Sequence, residues 1–145
     1  MAGRLEAHVV AAAVVLGLSA SVVAQQAPKL VAPVRGPAKV EITRPTTKRS
    51  ATKVVTTILL KNMESAPIAG LRVEENWYDK QGNPVGGDVY RHQKPIQPGE
   101  VITITLRMPR NPNLARNQCV FRHANGSIQQ TVVPKLDAPA MAKQQ

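Results

Sequence analysis

Hydrophobic and polar residues alternate most cleanly over residues 101–108. Ile102, Ile104, Leu106 and Met108 share one parity, and Thr103, Thr105 and Arg107 the other. A period of two belongs to a strand with one buried face. Residues 52–60 are rich in β-branched side chains and end in the polar pair Lys61-Asn62, which predicts a second strand. Residues 71–78 form a third, closed by the turn formers Asp79-Lys80-Gln81-Gly82-Asn83-Pro84. Residues 85–90 read as a short return strand, and residues 95–99 as the next turn. Residues 109–113 break the alternating strand, and residues 118–123 and 127–133 flank Asn125-Gly126, a hairpin signal. Pro134 weakens the end of the last strand, which suits a sheet edge. Upstream, residues 39–43 alternate enough for a short edge strand.

Short strands separated by turn signals every ~8–15 residues predict a sandwich or barrel. The expected fold is all-β, a small immunoglobulin-like antiparallel β-sandwich over residues 51–136. The Cys–Trp–Cys spacing of antibody domains is absent. Residues 137–145 carry no core pattern and read as a flexible C-terminal tail. Residues 1–24 read as a secretory signal peptide: Arg4 in the n-region, an apolar run over 9–18, and small residues ending Val22-Val23-Ala24. Cleavage is placed after Ala24. The run is interrupted by Gly17, Ser19 and Ser21 and falls short of the ~20 apolar residues of a spanning helix. No transmembrane helix is expected in the mature chain. Residues 25–50 then hold four prolines and six cations against Glu41, and read as a Pro-rich basic linker or arm.

Composition narrows the function classes. The 145 residues carry 19 Lys and Arg against 9 Asp and Glu, a formal charge of +10. The lone cysteine, Cys119, cannot form an internal disulfide or a cysteine-based zinc cluster. Four aromatic residues are too few for a broad stacking platform, so no specific nucleic acid is expected as a partner.

The segment Glu75-Asn76-Trp77-Tyr78-Asp79 followed by Gly82, then Pro98-Gly99-Glu100 opening an alternating strand, resembles the FxLYD domain family. Leu60-Lys61-Asn62 is similar to that family's Val-x-Asn strand end, and the likeness covers roughly residues 53–136. Glu75 stands where the family has Phe, and Trp77 where it has Leu. The resemblance implies a small extracytoplasmic β-sandwich, an accessory or interaction domain, mostly of unknown function and with no catalytic or ligand set to carry over.

Candidate chemistry is sparse. Cys119, Phe121 and His123 share a strand face, but residues four apart on a strand lie ~13 Å apart, too far for a thiolate–imidazole pair or a shared metal. His92 lacks a partner at metal-ligand spacing. Glu75 shares parity with Leu71, Val73 and Trp77; either a bulge turns it outward or it is a partly buried acid paired with an arginine. Neither a catalytic set, a cofactor nor a metal is expected.

Two surfaces are the candidates instead. By parity one of Trp77 and Tyr78 must face outward, and aromatics favour interfaces. Tyr78, with Arg72 and Asn76 beside it, is the expected interaction surface for an envelope protein. The seven cations Lys29, Arg35, Lys39, Arg44, Lys48, Arg49 and Lys53 are the alternative, contacts to an anionic envelope polymer with strong salt dependence. The expected location is the periplasm or the extracellular space.

Overall fold

The computed structural model describes residues 30–138. The segment read as a signal peptide, and Lys29 with it, lies outside the described residues. Eight strands follow in order: β1 (Ala38–Thr43), β2 (Thr46–Arg49), β3 (Lys53–Asn62), β4 (Arg72–Tyr78), β5 (Pro84–Arg91), β6 (Val101–Pro109), β7 (Arg116–His123) and β8 (Gly126–Val133). They make a β-sandwich with immunoglobulin-like connectivity. One layer holds β6, β3 and, side by side along β3, β2 and β1; the other holds β5, β4 and β7. The connections β3–β4, β5–β6 and β6–β7 each cross between layers, the Greek-key pattern of such sandwiches. β8 leaves the β7 hairpin after two pairs and crosses to the first layer. There it runs alongside all six residues of β1 in the parallel sense, so the sandwich is mixed rather than wholly antiparallel.

Burial follows the alternation. Val54, Thr56, Ile58, Leu60 and Asn62 of β3 point inward, as do Ile102, Ile104, Leu106 and Met108 of β6. Val73, Glu75 and Trp77 of β4 close on them from the other layer. Each large apolar side chain so buried contributes about 1.5–3 kcal/mol of transfer free energy. Ile68 and Ile96 lie in loops yet are fully buried, because their backbones form a two-bond bridge of 3.0 and 2.9 Å that seals one end of the core. Asn62 holds the same end. Its Nδ2 donates to the carbonyls of Ala66 and Ile96, and its Oδ1 accepts from the Glu64 amide.

Residues 38–49 correct the expected boundary. They are not part of an arm: Ala38, Val40 and Ile42 are core residues. β1 is paired on both sides, by β3 and by β8, and is no edge. The prolines misled because Pro37 and Pro45 flank the strand, where a missing N–H costs no ladder bond. Gly126 allows this approach, since a Cβ there would strike the Gly36 carbonyl. Asp88 covers part of the free edges on the opposite side. Its carboxylate accepts from the β6 amide of Arg107 at 2.7 Å and so ties β5 to β6.

Candidate functional site

β4 is the middle strand of its layer, and its outward parity carries Arg72, Glu74, Asn76 and Tyr78. The three expected surface residues therefore share one face, and Trp77 is the inward member of its pair at 3% exposure. Register adds what the linear sequence hides. Arg72 lies opposite Arg91 on β5 and Arg122 on β7, so three arginines form one cross-strand row. Directly opposed side chains sit ~4.5–5.5 Å apart at Cβ, and like charges there are destabilising. One carboxylate offsets them: Glu74 Oε1 lies 2.8 Å from Arg72, both groups partly exposed. In the middle of the face Glu74 lies between Val89 and Val120, and the next row, with Asn76 and Gln118, is uncharged. At the far end, ~20 Å along the strand, the Arg116 guanidinium lies over the Tyr78 ring at 4.9 Å. Arg91, Arg116 and Arg122 were missed by reading the sequence. The alternation of Arg116, Gln118, Val120 and Arg122 was the signal available.

The cations read as an arm are dispersed. Lys39, Lys48 and Lys53 project from the outer face of the β1–β2–β3 layer, and Arg44 sits between β1 and β2. Arg35 is exposed ahead of β1. Arg49 has the opposite parity and lies 5.5 Å from the Trp77 ring centroid.

Glu75 is neither turned outward nor paired with an arginine. It is 2% exposed, and its Oε1 accepts from Thr56 Oγ1 at 2.6 Å and from Asn117 Nδ2 at 2.7 Å. Sandwich packing brings Thr56 across from β3, and the β4–β7 register brings Asn117 alongside. Cys119 lies opposite Glu75 in the register. Burial and then the Glu75 charge push its thiol up to about 11. This is the reverse of what a thiolate nucleophile needs. Alkylation by iodoacetamide at pH 8 is expected to run about 10²-fold slower in the native protein than in denaturant, rising about tenfold per pH unit up to the shifted value. Equal native and denatured rates would show that the thiol is not shielded.

Both histidines among the described residues are engaged with the protein itself. His123 Nε2 donates to the Gly36 carbonyl at 2.7 Å, tying the segment before β1 to the β7–β8 hairpin. His92 Nδ1 lies 2.9 Å from the Tyr90 hydroxyl. Burial raises the Tyr90 phenol above its ordinary value. Among the described residues no three His, Cys, Asp or Glu side chains converge, and no helix is long and apolar enough to cross a membrane.

Fold and face together define a small immunoglobulin-like β-sandwich with an arginine-rich outer sheet. No protein-family model matches the chain, and no curated protein matches it. Solved structures similar to it include these two. One is a DUF1425 family member from Shewanella sp. pv-4, at 18% identity over 59% of this chain and 78% of that one, with a TM-score of 0.45. The other is IrmA from Escherichia coli, at 10% identity over 69% and 95%, with a TM-score of 0.42.

Proposed function

We propose that this chain is an exported, non-enzymatic accessory domain of the FxLYD type that binds an acidic envelope protein through the outer face of β5, β4 and β7. The observation that carries this reading is the Arg91–Arg72–Arg122 row. Three like charges in one row weaken an isolated sheet, and a carboxylate-bearing partner converts that cost into attraction. Arginine and tyrosine are also the side chains that concentrate binding energy at interfaces. Tyr78, steadied by Arg116, supplies an aromatic contact at the other end.

The test is capture from envelope extract at low and moderate salt. The double variant Arg91→Glu/Arg122→Glu is expected to lose its partner at least about thirtyfold, the weight of one hot-spot contact or more. Tyr78→Ala should weaken capture without melting the domain. A partner retained at full strength by the double variant would move the interaction to another face.

A further inference from the structure

A second site lies on the other layer. Ile42 pairs with Leu60 and Thr46 with Thr57, so four steps along β1 and β2 oppose three along β3. The extra residue is a bulge at Arg44-Pro45, where Pro45 has no amide to continue the ladder. The Thr43 hydroxyl fills in, accepting from the Leu59 amide at 3.0 Å. On the far side Thr43 pairs with Val133, the last residue of β8, and Pro134 follows. Residues 134–136 then run beside the bulge and form a second wall, bordering an open groove of about 510 Å³. That lies within the ~300–1,000 Å³ of small-molecule clefts.

The lining has two kinds of chemistry. Leu59, Pro134 and Leu136 supply apolar surface, with Leu59 and Leu136 only half-buried. Arg44, Lys48 and Lys135 bring three cations from separate segments, and no carboxylate lines the groove. Among the described residues, none of these cations is paired with an acidic side chain. Threonine hydroxyls at 43, 46 and 57 complete the polar part.

We infer that this groove binds a small single-chain anionic amphiphile, an apolar body carrying a phosphate, sulphate or carboxylate head. Charge complementarity selects the anion, and the apolar floor selects against a bare ion. The cations come from both walls, so the head is approached from two sides and the chain lies between them. That arrangement suits a monomer rather than the flat surface of a bilayer. The inference does not rest on the arginine face, which belongs to the opposite layer.

The experiment is titration calorimetry on the full chain with decyl phosphate below its micelle concentration, alongside inorganic phosphate, decyl maltoside and phosphatidylglycerol vesicles. Saturable one-to-one binding of decyl phosphate is expected, with inorganic phosphate and decyl maltoside each at least tenfold weaker. Lys48→Gln/Lys135→Gln should weaken decyl phosphate at least tenfold, while Arg91→Glu/Arg122→Glu leaves it unchanged. No saturable binding, equal binding by the lysine variant, or binding to vesicles but not to the monomer would each overturn the assignment.

Discussion

Replacing Trp77 with alanine is expected to cost about 3–5 kcal/mol of folding stability, the range for deleting a buried large aromatic. In a domain of this size that corresponds to a fall in Tm of at least about 12 °C. The reason lies in the core. The main cluster is built on β1, β3 and β6, whereas Val54, Met108 and Leu114 pack in a second cluster whose largest member is Trp77. Its register partner on β5 is Gly86, with no side chain to close the space. Trp77→Phe should be far milder, because the indole Nε1 is buried without a hydrogen-bond partner and phenylalanine removes that orphan donor. Tyr78→Ala, one residue on, should cost less than about 1 kcal/mol, since Tyr78 lies on the outward face. Thermal melts of the three variants check this. A Tyr78→Ala protein that melts as early as Trp77→Ala would reverse the assignment of the two faces.

The second large effect is expected at Glu75. Glu75→Leu keeps the shape but strands the Asn117 amide and leaves the Thr56 hydroxyl only a 3.4 Å contact to Thr47, at about 1–3 kcal/mol for each buried donor left unmade, or roughly 2–6 together. Glu75→Gln retains an oxygen that accepts from both, and should stay within about 1 kcal/mol of the parent. It should also speed alkylation of Cys119, because the carboxylate charge that helps hold the thiol protonated is gone. Urea unfolding and the alkylation rate read these two consequences separately. A leucine variant as stable as the parent would mean that Thr56 and Asn117 find other partners; an unchanged alkylation rate in Glu75→Gln would mean that Glu75 does not act on Cys119 through its charge.

Glu75 shows how far reading the residues reached. Its parity placed it on the inward face with Val73 and Trp77, and that is where it lies. Its partners could not be read, because Thr56 is nineteen residues upstream and Asn117 forty-two downstream. The arginine row has the same character. Arg72, Asn76 and Tyr78 share a face by alternation alone, but Arg91 and Arg122 join Arg72 only through the registers of β5 and β7. Residues 38–49 show the opposite failure. Frequent prolines and positive charge suggested an extended arm, while the short apolar alternation Ala38, Val40, Ile42 was the stronger signal.

Alternation by itself determined the strands from β3 onward, their inward and outward faces and the all-β class, because side-chain direction along an extended chain is set residue by residue, with period two; the wholly exposed β2 carries no such pattern. The β7–β8 hairpin was legible for the same reason, turn geometry being local, although its turn residues are Ala124 and Asn125 and Gly126 already pairs with His123. Only the tertiary structure decided which strands became neighbours, that β1 took β8 as a parallel partner, that three arginines came into one row, and that the segment after β8 walled a groove beside the β1–β2 bulge. Those outcomes depend on sheet register and on contacts between residues far apart in the chain, where one hydrophobic face satisfies burial against several partners and the packing of the whole sandwich selects among them.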